Sequence, residues 1–118
     1  MVTRILVPLD GSTLAERALP CAMTLAQGLA AELVLFRAVS LPDDIKDTFV
    51  DFDLKVDEAL AALAADADRY LRRVVGQLEK DGLRVHPVVH RGPAAEAIVD
   101  YAEHVDAQQI VMLSLIHI

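Results

Sequence analysis

Four stretches of the chain carry the apolar runs expected of strands. They are residues 5–9, 32–39, 84–90 and 110–112. A strand with one wet face alternates apolar and polar residues, whereas a continuous apolar run is typical of a strand covered on both faces. The pattern therefore predicts four strands, with residues 33–36 as the buried centre of the second.

Between these strands, apolar residues recur at spacings of three and four, which predicts three helices. The first follows residue 12, and its apolar stripe is Leu14, Ala18, Cys21, Ala22, Leu25 and Leu29. Cys21 is therefore expected in the core, as most such cysteines are. Pro20 removes the hydrogen bond to the Glu16 carbonyl, which predicts a bend in this helix and not its end.

The second helix is predicted over about residues 56–80. Its stripe is Val56, Leu60, Leu63, Ala67, Leu71, Val74 and Leu78. Asp68 and Arg72 are spaced for a weak surface pair, and Gly82 is suited to the left-handed turn that ends the helix. The third helix is predicted to begin at Pro93, because a missing N–H costs little at a first helical position. Tyr70 and Tyr101 are expected in the core with solvated hydroxyls.

The order β-α-β-α-β-α-β predicts an α/β fold, a doubly wound parallel sheet with helices on both faces. Ligands of such sheets bind beyond the carboxyl ends of the strands. Asp10 lies at such an end and is followed by Gly11 and Ser12. Thr13 and Glu16 have the spacing of a capping box that opens the first helix. Asp10 is either a ligand contact or a carboxylate that caps this helix, and the sequence supports both interpretations.

Composition narrows the classes of partner. A chain of 118 residues, 54% of them apolar, is expected to form one domain. The formal charge of -7 argues against nucleic acid or an anionic membrane as the main partner, since both require clustered Lys and Arg. A small anionic ligand held by backbone groups stays compatible with this charge. We find no signal-peptide pattern and no apolar stretch of membrane-spanning length, so we expect a cytoplasmic protein.

Neither of two metal-binding interpretations is favoured. Residues 40–55 contain five aspartates but lack the central glycine and distal glutamate of the helix-loop-helix calcium loop, so a solvated connection is expected. His86 and His90 share one side of the third strand, but four strand residues span roughly 13 Å, too far for one metal. His90 is expected to be a hydrogen-bonded structural residue. Cys21 is the only cysteine, which excludes an internal disulfide.

Three segments then occur together in one order. They are residues 5–20, the second strand ending in Ala38-Val39, and residues 91–102 leading to residues 110–112. Together they make residues 2–112 resemble the universal stress protein family. The resemblance implies a five-stranded parallel sheet of order 3-2-1-4-5 and, in many members, a homodimer. One branch of that family binds ATP between strands one and four, and another branch does not.

The resemblance also implies a set of nucleotide-binding residues. The candidates are Pro8, Leu9, Asp10, Val39, Gly92 and Met112. Asp10 would lie near the adenosine, Val39 at the adenine end and Met112 on the facing strand. The chemistry agrees, because a carboxylate accepts hydrogen bonds from ribose hydroxyls and a valine offers an apolar wall to the base.

The chain departs from the family pattern after Met112. ATP-binding members continue with a glycine pair and later a glycine followed by serine or threonine, which hold the phosphates. This chain has no glycine after Gly92 and ends in Leu-Ser-Leu-Ile-His-Ile. We therefore expect a domain over residues 1–112, an atypical tail over residues 113–118 and a truncated product without the fifth strand. ATP is the ligand considered for a full-length form, and tight ATP binding by this chain alone is not expected.

The function that the resemblance implies is stress-response binding and signalling without catalysis. The sequence contains no Walker-type loop, dinucleotide fingerprint or serine elbow. A receiver domain would need a phosphorylatable Asp after the third strand, where the chain has His90-Arg91-Gly92. Two alternatives stay open: a dimerising scaffold without nucleotide, and a weak ATP hydrolase of the same superfamily.

Overall fold

A computed structural model describes residues 3–40, 53–104 and 109–110 of the chain. The strands are β1 (Arg4–Pro8), β2 (Glu32–Val39), β3 (Val85–Arg91) and β4 (Gln109–Ile110). The helices are α1 (Thr13–Glu16), α2 (Leu19–Leu29), α3 (Asp53–Glu79) and α4 (Ala94–His104). All strand pairs are parallel, and the four described strands lie in the order β3-β2-β1-β4. The predicted α/β class is confirmed, and the order of these four strands is the one expected.

The strands β1 and β2 are buried on both faces. Alternate side chains of each strand point to opposite sides of the sheet, so the core divides in two. On one side Ile5, Val7, Leu33 and Leu35 pack with α1, α2 and α3. On the other side Leu6, Val34 and Phe36 pack with Ala97 and Ile98 of α4. Helices on both faces explain why these strands carry unbroken apolar runs.

The strand register brings three strand ends to one edge of the sheet. Pro8 pairs with Phe36, and Val39 pairs with Arg91. Beyond the ladders, the Leu9 N–H donates to the Phe36 carbonyl at 2.8 Å, and the Gly92 N–H donates to the Val39 carbonyl at 3.0 Å. The residues that follow β1, β2 and β3 are therefore held side by side at the carboxyl edge.

The first predicted helix is divided in two. Helix α1 ends at Glu16, and α2 begins at Leu19 with Pro20 in its first turn. The predicted bend is wrong, because the chain closes α1 with a tighter hydrogen bond from the Ala18 N–H to the Ala15 carbonyl and then starts again. In this arrangement the missing N–H of Pro20 falls where a helix needs no donor.

The buried face of α2 matches the predicted stripe only in part. Ala18, Leu19, Ala22 and Ala26 are buried, whereas Cys21 is exposed and Leu29 is 49% exposed. The prediction that Cys21 lies in the core is therefore wrong. Ala18 and Ala22 of the predicted stripe are buried, and Leu25 is partly buried against the core. The observed face also includes Ala15, Leu19 and Ala26, so the predicted stripe was correct in period but placed Cys21 and Leu29 on the buried face in error.

Helix α3 packs on the sheet through its C-terminal half. Its buried residues are Ala67, Tyr70, Leu71, Val74, Val75 and Leu78. The predicted stripe is confirmed over this half, but Leu63 is 37% exposed and Leu60 is half-buried. The predicted surface pair is also confirmed, with 2.8 Å between Arg72 Nε and Asp68 Oδ2. Gly82 has the expected positive φ, of 81°.

The remaining helix, α4, begins one residue after its predicted start. Pro93 directly precedes it and accepts a hydrogen bond from the Ala97 N–H at 2.9 Å, so the proline flanks the helix. Several predictions lie outside the described residues: the acidic connection over residues 41–52, Met112, the tail over residues 113–118 and the missing fifth strand. No helix within the described ranges is long and apolar enough to cross a membrane.

Candidate functional site

The turn between β1 and α1 is organised by the Asp10 carboxylate. Asp10 Oδ1 accepts hydrogen bonds from the Ser12 N–H at 2.9 Å and from the Ser12 hydroxyl at 2.5 Å. The Ser12 hydroxyl oxygen in turn accepts from the Ala15 N–H at 3.1 Å and caps α1. The predicted capping box of Thr13 and Glu16 is wrong, because Asp10 fixes Ser12 in the cap position and Thr13 becomes the first helical residue.

These hydrogen bonds set the charge of Asp10. Burial raises the pKa of the carboxyl, but the hydrogen bonds from Ser12 and the nearby Arg37 guanidinium together outweigh burial. The pKa of Asp10 therefore lies below its usual value of 3.8, and the side chain is ionised at neutral pH. A carboxylate of this kind accepts hydrogen bonds and is a poor proton donor or base.

Arg37 lies beside this turn, near the end of β2. Gly11 has a φ of 89°, and a Cβ there would stand 3.0 Å from Arg37 Nη1. The Arg37 guanidinium carbon also lies 5.4 Å from the centre of the Tyr70 ring, within the range of a cation–π contact. Glycine at position 11 is thus required both by the backbone conformation and by the close approach of the arginine.

A pocket of about 220 Å³ opens at this carboxyl edge. Its walls come from the ends of β1 and β2, the turn after β3, and both α3 and α4. The lining residues are Pro8, Leu9, Asp10, Phe36, Arg37, Ala38, Val39, Ser40, Leu63, Gly92, Ala94 and Ile98. Five of the six predicted site residues, Pro8, Leu9, Asp10, Val39 and Gly92, border this one pocket. The sixth, Met112, lies outside the described residues.

Sequence reasoning missed two chemically distinct residues of the lining, Arg37 and Leu63. Arg37 stands two residues before Val39 on β2, and side chains two residues apart on a strand point to the same face of the sheet. The sequence could therefore have placed Arg37 on the same face as the predicted site residue Val39. Leu63 belonged to the predicted stripe of α3, but it is 37% exposed and lines the pocket.

The histidines and tyrosines lie away from the pocket. The His90 side chain is exposed and contacts the rings of Phe36 and Tyr101 at 5.7 and 5.6 Å, so ring packing replaces the expected hydrogen bond. His86 Nε2 lies 3.6 Å from Glu32 Oε2. Among the described residues, no group of three or more His, Cys, Asp or Glu side chains is placed to hold a metal.

Tyr70 differs from its predicted state. Its hydroxyl oxygen is buried and no described residue meets hydrogen-bond distance and angle with it, although the Glu16 carboxylate is close enough to act on it, so the expected solvated hydroxyl is wrong here. Burial, and then the negative charge of Glu16, raise the pKa of the phenol above its usual value. Arg37 and Arg73 both place guanidinium groups over the ring, at 5.4 and 5.5 Å. Tyr70 therefore serves as a rigid surface beneath Arg37.

Fold and pocket together define a doubly wound α/β protein with a polar and apolar cleft at the carboxyl edge of its sheet. The sequence model of the Universal stress protein family matches residues 1–115. The chain therefore belongs to the universal stress protein family. Among curated proteins it is 27% identical over 117 residues to the Universal stress protein Sll1388 of Synechocystis sp., covering 92% of this chain and 76% of that protein.

Solved structures of this family share the fold of the chain. Universal stress protein UspA from Lactobacillus plantarum matches with a TM-score of 0.76 and 27% identity, over 92% of this chain and 74% of that one. A universal stress protein in complex with cAMP matches with a TM-score of 0.65 and 19% identity, over 97% and 74%. A family protein from Arabidopsis thaliana with AMP bound matches with a TM-score of 0.63 and 14% identity, over 94% and 76%. Relatives of this fold thus include structures that contain adenine nucleotides.

Proposed function

We propose that this chain binds an adenine nucleotide in the carboxyl-edge pocket and acts as a binding and signalling domain without catalysis. The observation that carries the proposal is the convergence of Pro8, Leu9, Asp10, Val39 and Gly92 on one pocket. The resemblance named these residues from three separate segments of the chain. Structures of family proteins that contain AMP and cAMP support the choice of ligand.

The pocket supplies contacts for the two halves of a nucleoside. Both hydrogen bonds that Asp10 accepts end on Oδ1, so Oδ2 has no partner among the described residues and can accept a ribose hydroxyl. Leu63 is 37% exposed and offers apolar surface to the base, whereas Val39 and Leu9 border the pocket with only 5% and 2% of their surface exposed. A few polar groups in a mainly apolar cleft are typical of small-molecule sites.

The state of Asp10 favours binding over catalysis. Because its pKa is lowered, the carboxylate stays ionised at neutral pH and takes up a proton only in acid. General acid or base catalysis is most efficient when the pKa of the group lies near the working pH. The role that suits Asp10 is therefore that of a hydrogen-bond acceptor for the ligand.

The finer expectations belong to the same proposal. We infer a cytoplasmic location, a homodimer for the full-length form, and ATP as a ligand of that form, with a domain boundary at residue 112. Charge-assisted phosphate contacts contribute roughly 1.5 to 3 kcal/mol each, so the glycine-rich segment matters for ATP. Without about three such contacts, ATP binding is weaker by on the order of a thousandfold.

The test is chromatography of nucleotide released from the purified chain, combined with equilibrium binding of added AMP and ATP. The matched variants are Asp10→Ala in the pocket and Asp68→Ala on the exposed face of α3, where Asp68 pairs with Arg72. We expect binding that Asp10→Ala weakens about tenfold or more and that Asp68→Ala leaves unchanged.

Two other outcomes contradict the proposal. Absence of adenine nucleotide binding, together with a stable dimer, favours the scaffold without nucleotide. Phosphate release from ATP well above background, lost in Asp10→Ala, favours the weak hydrolase and contradicts a role without catalysis.

A further inference from the structure

Among the described residues, Arg37 is the basic side chain that lines the pocket, and it is held in place on two sides. Its guanidinium lies 5.4 Å from the centre of the Tyr70 ring and against the backbone of Gly11. The Tyr70 ring is itself buried and cannot move away. A side chain fixed by an aromatic face and a glycine turn loses little conformational freedom when it binds a ligand.

The hydrogen-bonding capacity of Arg37 is unused within the described part of the chain. Arg84 pairs with Glu32, and Arg72 pairs with Asp68. The Arg37 guanidinium forms no ion pair or hydrogen bond with another described residue, although the side chain is half-buried. Guanidinium offers five donors in a planar fork that matches carboxylate and phosphate oxygens.

We propose that Arg37 binds the phosphate of a nucleoside monophosphate whose ribose is held by Asp10. This inference rests on the proposed function and specifies its ligand. Both residues border the same pocket, and the guanidinium is close enough to act on the charge of Asp10. A phosphate bound here is therefore the one attached directly to the ribose.

Asp10 and Arg37 would recognise different parts of the ligand. The Asp10 carboxylate accepts hydroxyl hydrogen bonds and repels an anion, whereas Arg37 attracts the anion. One guanidinium can satisfy one phosphate with two parallel N–H···O bonds. Additional phosphates of ATP gain nothing from Arg37, so AMP is expected to bind about as tightly as ATP, and both more tightly than adenosine.

The experiment measures the affinities of adenosine, AMP and ATP by calorimetry for the wild-type chain and for Arg37→Gln. The wild type is expected to bind AMP about ten- to a hundredfold more tightly than adenosine. Arg37→Gln is expected to lower AMP affinity to about that of adenosine and so remove the preference, and circular dichroism with urea denaturation checks that the variant is folded. Arg37→Lys keeps the charge but not the fork, and retains only part of the preference.

The matched control is Arg91→Gln, which removes one exposed positive charge at the carboxyl end of β3 without altering a pocket side chain. It is expected to change the preference for AMP less than twofold. A preference for AMP that survives in both Arg37 variants overturns the inference and leaves the proposed function standing, as does a wild type that binds adenosine as tightly as AMP. Failure of every adenine compound to bind overturns the proposed function and this inference with it.

Discussion

The two edges of the sheet use their charges differently. At the amino edge, Glu32 lies 3.8 Å from Arg4 Nε, 3.4 Å from Arg84 Nη1 and 3.6 Å from His86 Nε2. These residues stand at or near the starts of three neighbouring strands, so one carboxylate is surrounded by three basic groups. At this edge the acidic and basic side chains are partners of one another.

At the carboxyl edge the charges are kept apart. The Asp10 carboxylate is engaged by its own turn through Ser12, and the Arg37 guanidinium rests on Tyr70. Backbone geometry here requires positive φ at Gly11 and Gly92, at 89° and 140°. The comparison indicates that the amino edge is built for cohesion of the strands, whereas the carboxyl edge holds a separated pair of charges beside a pocket.

The largest effect is expected from Gly11→Val, which tests whether the carboxyl edge depends on its turn. A β-branched residue at a φ of 89°, with Cβ only 3.0 Å from Arg37 Nη1, is strained and displaces the guanidinium. We expect a loss of about 2 kcal/mol in the free energy of unfolding, and loss of the preference for AMP. Urea denaturation and calorimetry measure the two effects.

The control for this change is Gly28→Ala in α2, where a Cβ would meet nothing within 4 Å. Alanine is the better helix former, so a gain of about 0.5 to 1 kcal/mol is expected. Equal losses in both variants would show that the Gly11 turn has no special role.

A smaller effect is expected from Glu32→Ala at the amino edge. Arg4, Arg84 and His86 lose their shared partner, but their side chains are 40%, 62% and 56% exposed, so water screens the two arginine ion pairs and the histidine contact. The free energy of unfolding should fall by at most about 1 kcal/mol. Binding of AMP should not change, and a marked loss of binding would contradict the division of roles between the two edges.

Tyr70→Phe is expected to be neutral or slightly stabilising. The hydroxyl is buried with no described partner at hydrogen-bond distance and angle, and the Glu16 carboxylate is its polar neighbour, so its removal eliminates a desolvated polar group at the cost of a weak interaction with Glu16. The change keeps the ring under Arg37. We expect a gain of about 0 to 1 kcal/mol in the free energy of unfolding and unchanged AMP affinity. A clear loss of stability would reveal a hydrogen bond that the phenol makes in solution.

The smallest effect concerns pH. Because the pKa of Asp10 is lower in the folded chain than the ordinary value of 3.8, its ionised form stabilises the fold above that value. The contribution is lost as pH falls through the lowered pKa. Asp10→Asn should therefore be less stable than the wild type at neutral pH, and the difference should shrink in acid. Urea denaturation at several pH values, or titration of the Asp10 carboxyl by NMR, tests this pH dependence. A pKa of Asp10 above 3.8 would contradict the expected direction.

The fold could be predicted because burial leaves a direct pattern in the sequence. Strand β2 was bounded correctly at Glu32 and Val39, and residues 33–36 are buried as expected. The pocket residues of the strand ends followed from the family resemblance. These predictions depend on the local pattern of apolar residues and on the order of helices and strands, and both can be inferred from a single sequence.

The predictions were wrong where the local structure depends on contacts between residues far apart in the sequence, or on which of two local contacts forms. Pro20 could end or bend a helix, and the structure ends α1 before it and starts α2 at Leu19. Cys21 adjoins the buried Ala22, and the apolar pattern does not determine which of two neighbouring small residues faces the core. The capping residue shifted from Thr13 to Ser12 because Asp10 bonds to Ser12. Arg37 was missed because its role depends on Tyr70, which lies 33 positions further along and reaches it only in the folded chain.

The central claim is that the carboxyl-edge pocket is the ligand site. The most direct measurement is an NMR titration of the chain with AMP, following the backbone amides of Leu9, Asp10 and Gly92 at the carboxyl edge, and of Glu32 at the amino edge. We expect saturable shifts at the first three amides and none at Glu32, with the shifts weakened in Asp10→Ala. Shifts centred on the amino edge, or none at any AMP concentration, would contradict it.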